Sequence, residues 1–202
     1  MNKMFKTLIC LSVICLISPI IWADEVEEEI NAGLTAYKAG EFSKAVESLE
    51  YAVGQIRQLK AQKIEILFPE PLEGWQAKEV ESMAAGSMLF GGVISANRRY
   101  AKGSASVDIN IATDNPMITF VSGMMSNPAM MTMAGKTGRT VKKIKGVNAV
   151  VEWDQDSSRG SIQTVVANKV MVAIEARNCS ESEMLGYAEA IDYDEVEAFV
   201  SQ

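Results

Sequence analysis

The sequence predicts an α+β protein, in which an N-terminal helical hairpin precedes a largely antiparallel β-sheet of about six strands covered by helices. Two observations support this class. Between residues 24 and 66, apolar residues recur at spacings of three and four, which is the period of a helix face. Beyond residue 75, short runs alternate apolar and polar residues between turn residues, which is typical of strands joined by hairpins.

The first residues predict export from the cytoplasm. Lys3 and Lys6 precede the apolar run TLICLSVICLISPIIWA, and the acidic stretch DEVEEE follows it. A basic start, an apolar run and a small residue before a polar stretch are typical of a secretory signal. We therefore predict that residues 1–23 are a signal peptide cleaved after Ala23 and that the protein is periplasmic. An N-terminus that stays anchored in the inner membrane is the alternative, and no membrane span is expected after cleavage.

Composition excludes several classes of function. Loss of Lys3 and Lys6 with the signal changes the formal net charge from −7 to −9, which disfavours nucleic acid and anionic lipid as partners. The chain has no histidine, so Ser-His-Asp catalysis, Cys-His catalysis and histidine-ligated zinc are excluded. Cys179 is the one cysteine outside the signal, which excludes an intramolecular disulfide. No enzymatic activity and no cofactor are predicted.

The hairpin is predicted over residues 24–66, with Gly40 at its turn. Gly40 suits the left-handed conformation that ends many helices. Gly33 and Ala45 are small enough to let the two helices approach closely. The apolar positions of the first helix are Ile30, Leu34, Ala36 and Tyr37, and those of the second are Phe42, Ala45, Val46, Leu49, Ala52, Val53 and Ile56.

Residues 33–57 resemble a single tetratricopeptide repeat. The resemblance rests on Gly33, Gly40, Phe42, Ala45, Leu49 and Ala52 at the usual relative spacing of the repeat. Glu29 replaces the large aromatic residue that the repeat usually carries, and Arg57 lies near the position of its terminating proline. One such unit cannot bury its apolar face alone. It must pack on its own domain, on a second copy or on a partner protein.

Residues 67–202 are predicted to form the sheet domain, which begins with the boundary segment LFPEPLEGW. Turns are expected at Gly146, Gly160 and Asn168, and Ser180 with Glu183 forms a capping-box pattern for a closing helix. A helix with the buried stripe Met117, Phe120, Val121 and Met124 is expected between the second and third strands. The six predicted strands lie within residues 88–101, 104–113, 140–146, 148–154, 161–167 and 169–176.

The element order and the EGW entry of this second unit resemble the PsbP/Mog1-like α/β/α sandwich. The closing strand–turn–strand–helix run contributes to that resemblance. The chain is also similar to exported bacterial proteins with a short tetratricopeptide-like start, which implies an envelope location. A shared fold does not imply a shared activity.

Methionines are concentrated between residues 117 and 133, which hold six of the twelve. Thioethers bind Cu(I), but methionine also fills cores and forms adaptable binding surfaces. The sequence therefore leaves three interpretations of this segment open: core, exposed binding surface and copper site.

The favoured function is that of a non-enzymatic binding or accessory protein of the bacterial cell envelope. It would bind a protein partner, or a second copy of itself, through the hairpin or the methionine segment. The alternative is a small-ligand or Cu(I) carrier, and a third hypothesis is a hydrolase that uses Glu152 and Asp154. The residues predicted to contact a partner are Tyr37, Phe42, Met124, Met125, Met130 and Met131.

Overall fold

The computed structural model describes residues 20–84, 93–113, 118–119, 122–123 and 139–200, without the side chains of residues 20–24 and 83–84. It confirms the α+β class. Two helices come first, a sheet follows, and two short helices close the chain. The elements are α1 (Ile20–Lys38), α2 (Phe42–Ile64), a 3₁₀ turn (Glu65–Leu67), β1 (Gln76–Ala84), β2 (Ile94–Lys102), β3 (Ala105–Thr113), β4 (Arg139–Ile144), β5 (Val147–Asp154), β6 (Arg159–Val166), β7 (Val170–Arg177), α3 (Glu181–Ala190) and α4 (Tyr193–Val200).

Within the described residues, the sheet has seven strands, which pair antiparallel throughout in the order β1-β2-β3-β7-β6-β5-β4. Two meanders, β1 to β3 and β4 to β7, join where β3 pairs with β7. Val107 lies opposite Ala176 and Ile109 opposite Ile174 in this central pair. Most of the sheet therefore follows from short hairpins, and only the β3/β7 pairing depends on residues distant in sequence.

The seventh strand, β1, was not predicted because the apolar residues of its sequence QAKEVESMA do not alternate with polar ones; they are Ala77, Val80, Met83 and Ala84. A register shift between Ala77 and Val80 interrupts its pairing with β2 and breaks the alternation that identifies a strand. β1 also forms one edge of the sheet. Charged residues and a bulge are common on edge strands, where they discourage pairing with other chains.

The two faces of the sheet differ in chemistry. On β7, Val170, Val172, Ile174 and Ala176 are buried, whereas Glu175 and Arg177 on the other side are exposed. Helices α3 and α4 contact β6 and β7, and their residues Met184, Tyr187 and Val196 are fully buried. We call the side that carries Glu175 and Arg177 the outer face.

The segment predicted as a boundary, residues 67–75, packs into the core of the sheet unit. Phe68 and Trp75 are buried. The Tyr100 hydroxyl donates a hydrogen bond to the Pro69 carbonyl at 2.6 Å, and the Trp75 and Tyr187 rings meet edge to face at 5.3 Å. The prolines thus shape a packed entry to the sheet.

The predicted turns at Gly146 and Asn168 are confirmed, with φ of 90° and 55°. Gly160, also predicted as a turn residue, lies within β6 opposite Trp153. A Cβ atom there would clash with Trp153 Cε3 and would lie 2.9 Å from Met184 Sδ. Glycine is required at residue 160 because the Trp153 ring and α3 occupy the space above it. The preceding turn uses Ser158, whose φ is 49°.

The predicted helix between β3 and β4 is described at few positions. Residues 118–119 and 122–123 are helical, and Ile118 is buried. The expected stripe of Met117, Phe120, Val121 and Met124 lies outside the described residues.

By its internal contacts the chain divides into two compact units, Met1–Ala52 and Val53–Gln202. The division falls within α2. The boundaries drawn from the sequence, at residues 23 and 66, stay predictions. α1 begins at Ile20 and continues through the predicted cleavage position after Ala23.

Candidate interaction surface

The two helices of the hairpin meet through small side chains. Gly33, Ala45 and Ala52 are buried. A Cβ atom on Gly33 would lie 2.7 Å from Leu49 Cγ and 3.3 Å from the Ala45 carbonyl oxygen. Such contacts are tighter than packed side chains tolerate. The predicted close approach at Gly33 and Ala45 is therefore confirmed.

Because the small residues occupy the contact between the helices, the large apolar residues beside them stay in solvent. These large residues are between 41 % and 65 % exposed. They recur at spacings of four and three on each helix, which places them on one side of that helix. We call this set the hairpin face; it consists of Ile30, Leu34, Tyr37, Phe42, Val46 and Leu49.

The stripes of α1 and α2 lie on the same side of the hairpin. At the turn end, the Tyr37 and Phe42 rings are in contact, with centroids 6.0 Å apart. Further along, Leu49 of α2 lies against Gly33 of α1, beside Leu34. The two stripes therefore form one continuous apolar surface, as expected where an amphipathic helix pair has a further packing partner.

The turn between the helices is short and internally bonded. Gly40 adopts φ of 77°, as predicted. Its N–H donates to the Tyr37 carbonyl at 3.1 Å, and the Glu41 N–H donates to the Ala36 carbonyl at 2.9 Å. These bonds satisfy carbonyl groups at the end of α1 and fix the entry of α2. At the other end of the hairpin, the Tyr51 hydroxyl donates to the Glu25 carboxylate at 2.9 Å.

Charge is distributed unevenly along the hairpin. The hairpin face itself contains no charged residue. Glu25, Glu27, Glu28 and Glu29 lie in the first part of α1. Lys38 and Lys44 lie near the turn, where Lys44 is paired with Glu41 at 2.8 Å. The hairpin is thus acidic at one end and carries lysines at the other.

The structure brings together two of the predicted contact residues. Tyr37 and Phe42 touch and are the most exposed members of the hairpin face. Met124, Met125, Met130 and Met131 lie outside the described residues. Ile30, Leu34, Val46 and Leu49 were recognised as apolar stripe residues but not as contact residues. Their exposure could have been inferred from the sequence, because small residues occupy the contact between the two helices: Gly33, Ala45 and Ala52.

The outer face of the sheet carries many ionisable side chains. Arginine–carboxylate pairs lie across it: Arg99 with Asp108 at 2.6 Å, Arg139 with Glu152 at 2.9 Å and Arg177 with Glu175 at 3.0 Å. The hydrogen bond from Arg99 to Asp108 raises the pKa of the guanidinium. Each arginine is thus already engaged by a carboxylate of the same chain.

A shallow depression of about 590 Å³ lies on the outer face beside the β1 bulge. Its lining mixes both signs of charge around one apolar residue, so it does not select an anion or a cation. The lining residues are Lys78, Glu79, Val80, Glu81, Asn97 and Arg99.

Glu152 and Asp154, the carboxylates of the hydrolase hypothesis, do lie on one strand face, since their partners across β6 are Ser161 and Arg159. Asp154 accepts hydrogen bonds from the Ser157 hydroxyl at 2.7 Å and from the Asp156 N–H at 3.0 Å. These bonds lower the pKa of Asp154. A general acid requires a raised pKa, so Asp154 acts as a turn cap in this structure.

Cys179 is buried after β7, and burial with the nearby Glu183 charge raises the pKa of its thiol. A thiol nucleophile requires the opposite shift. Within the described ranges, no group of three or more acidic or cysteine side chains is arranged to hold a metal ion.

Comparison with models of known protein families, with curated proteins and with solved structures finds no match to this chain. The resemblances to a tetratricopeptide repeat and to the PsbP/Mog1-like sandwich therefore stay predictions. In the part of the chain that the structure describes, no helix combines the length and apolar character needed to span a bilayer.

Proposed function

We propose that this protein is an exported binding or accessory protein of the bacterial cell envelope and that it acts by docking through the hairpin face. The observation that supports this function most directly is the exposure of six large apolar side chains on one side of two helices. Keeping such a surface in water has a cost of about 25 cal/mol per Å². Exposed apolar patches of this kind are typical of interaction sites.

The chemistry of the remaining surface agrees with a binding role. Arg99, Arg139 and Arg177 of the outer face are paired with carboxylates, hydrogen bonds lower the pKa of Asp154, and Cys179 is buried. The proposed periplasmic location rests on the signal-like residues 1–23. The proposal that the partner belongs to the cell envelope rests in turn on that location.

The proposed function is tested by photocrosslinking in intact cells. A photoreactive amino acid replaces Tyr37 in one strain and Val46 in another, both within the hairpin face. Thr35 and Glu47 are the matched controls, since each is an exposed neighbour of a face residue on the same helix but points away from the face. We expect light-dependent adducts from Tyr37 and Val46 and none from Thr35 and Glu47. Equal adducts from all four positions, or none from Tyr37 and Val46, would contradict the proposal.

The Cu(I)-carrier alternative depends on Met124, Met125, Met130 and Met131, which lie outside the described residues. It stays a prediction from the sequence.

A further inference from the structure

We propose that the occupant of the hairpin face is the hairpin face of a second copy of this chain, packed antiparallel to form a four-helix contact. This inference rests on the docking role proposed above and commits it to one partner. The antiparallel arrangement is a two-fold one, in which each copy presents the same residues to the other.

The area of the hairpin face reaches the lower limit of what a specific dimer needs. Six large apolar residues, each 41 % to 65 % exposed, present at most on the order of 600 Å² to solvent, when each is given roughly 200 Å², a value in the range for aromatic residues. Two copies packed face to face would bury roughly 1,200 Å², which is at the lower end of specific protein–protein interfaces. The face is therefore large enough for a reversible dimer.

The helical spacing of the face also fits a second helix pair. Residues at intervals of four and three form the seam along which helices pack by inserting side chains between those of a neighbour. Both helices of the hairpin carry such a seam on the same side. A second hairpin has two apolar stripes with the same separation as those of the first, whereas a single partner helix has one.

Charge selects the orientation of the two copies. The face is uncharged, so the two-fold contact places no like charges within it. Antiparallel packing brings the acidic start of α1, from Glu25 to Glu29, beside the turn end of the second copy, where Lys38 lies next to the Lys44–Glu41 pair. Parallel packing would place the carboxylates of both copies side by side, which is unfavourable.

Symmetry identifies the residue nearest the two-fold axis. The α1 stripe runs from Ile30 through Leu34 to Tyr37. When two copies of this stripe pack antiparallel, the central residue Leu34 meets its own counterpart. Tyr37 and its counterpart are then about 9 Å apart along the helix axis, at 1.5 Å per residue.

The test begins with the molar mass of the full chain, purified as the cell produces it, by light scattering and sedimentation from about 1 to 100 μM. We expect the mass of two chains at the upper concentrations. Leu34→Asp should weaken dimerisation at least tenfold, because it places a charge at the centre of the face. Thr35→Asp, which adds the same charge to the neighbouring exposed position, should leave dimerisation unchanged. Circular dichroism confirms that both variants keep their helix content.

Cysteine crosslinking tests the orientation, in a Cys179→Ala background. Leu34→Cys should form a disulfide with its counterpart on mild oxidation at least tenfold faster than Tyr37→Cys, because a disulfide requires Cβ atoms about 4 Å apart. Equal rates at the two positions would overturn the antiparallel arrangement. This assay also works if Leu34→Asp fails to fold.

The experiments distinguish a wrong dimer proposal from a wrong docking proposal. A single-chain mass at 100 μM, with photoadducts from Tyr37 to a different protein, would overturn the dimer and leave the docking role intact. A single-chain mass with no adduct from Tyr37 or Val46 would overturn both.

Discussion

Two buried tyrosines, Tyr100 and Tyr193, differ in whether their hydroxyl groups are hydrogen-bonded. The Tyr100 hydroxyl donates to the Pro69 carbonyl. The Tyr193 hydroxyl is buried without a hydrogen-bond partner among the described residues. Burial raises the pKa of both hydroxyl groups to about 12. A buried hydroxyl without a partner costs stability that a bonded one does not.

Replacing each tyrosine by phenylalanine therefore has opposite expected effects. Tyr193→Phe should raise the free energy of unfolding by up to about 1 kcal/mol, since it removes an unbonded polar group. Tyr100→Phe should lower it by about 1–2 kcal/mol, since it leaves the Pro69 carbonyl unpaired. Urea denaturation of the two variants measures the difference. If Tyr193→Phe destabilises as much as Tyr100→Phe, the Tyr193 hydroxyl has a partner in the folded protein.

The stabilisation of the start of α3 by Glu183 depends on pH. It forms the predicted capping box with Ser180, whose N–H donates to its carboxylate at 2.9 Å, and Lys102 donates to it at 3.1 Å. These hydrogen bonds, that from the Ser180 backbone first, lower the pKa of Glu183. A lowered pKa means that the stabilisation is present above the unfolded-state pKa and is lost as pH falls through the folded-state value.

We expect the urea midpoint of the wild-type protein to fall on acidification below about pH 4.3, the ordinary pKa of glutamate. Glu183→Gln should have a lower urea midpoint than the wild type at pH 7, and its midpoint should fall less on acidification. Glu189→Gln, at an exposed position of the same helix, is the control and should follow the wild-type curve. Parallel curves for wild type and Glu183→Gln would show that this carboxylate does not contribute.

At the scale of elements, close packing of α1 on α2 depends on glycine at residue 33. Gly54 of α2 provides a matched comparison, because a Cβ atom there would meet no atom within 4 Å. Both glycines lie inside helices, so the change in helix propensity on substitution is the same. Any difference in the change of unfolding free energy between the two sites is then due to packing alone.

Gly33→Val should lower the free energy of unfolding by about 1–3 kcal/mol, as overpacking typically does. Gly54→Val should be neutral or stabilising by a few tenths of a kcal/mol, since valine has a higher helix propensity than glycine. Thermal unfolding followed by circular dichroism gives the comparison. Similar effects at both sites would mean that the helices are not in close contact at Gly33.

The methionine segment requires a test that separates packing from copper binding. We expect the combined replacement of Met124, Met125, Met130 and Met131 by leucine to cost less than about 1.5 kcal/mol per site, because the volume is conserved. Competition with a chromophoric Cu(I) chelator is expected to show no copper taken up by either form. Copper uptake by the wild type that the leucine variant loses would instead establish the carrier function.

At the scale of the whole molecule, the chain combines an N-terminal unit with exposed apolar side chains and a sheet unit with a continuous buried core. α1 begins before the predicted cleavage position. Cleavage after Ala23 would therefore remove its first turn and leave Asp24 at the start of the helix. A carboxylate at a helix N-terminus is favourable because the helix dipole is positive there.

Processing can be read directly from the mass of the protein in the cell. We expect mass spectrometry of the periplasmic fraction to find an N-terminus at Asp24 and a chain of 179 residues, the 202 of the sequence less the 23 of the signal. An intact N-terminus that fractionates with the inner membrane would support the anchored alternative.

Much of the fold could be predicted because its signals are local. The helical stripes, the Gly40 turn, the Ser180–Glu183 cap and six of the strands each depend on residues a few positions apart. β1 could not be predicted, because a bulge removes its alternation and only pairing with β2 makes it a strand. Gly160 was assigned to a turn because the contacts that require glycine come from Trp153 on the paired strand and from Met184 of α3.

The sequence by itself determined the α+β class, the hairpin and the absence of histidine chemistry, since periodicity and composition need no knowledge of distant contacts. The contact between Tyr37 and Phe42 follows from the short turn at Gly40 that separates them, and their role in binding a partner stays a prediction. Only the tertiary structure decided that β7 pairs with β3 and that the large apolar residues of the hairpin are exposed to solvent. Both outcomes depend on which surfaces meet: small residues filled the contact between α1 and α2, so Ile30, Leu34 and Val46 were left outside it, and Leu49, which lies against Gly33, stayed partly exposed.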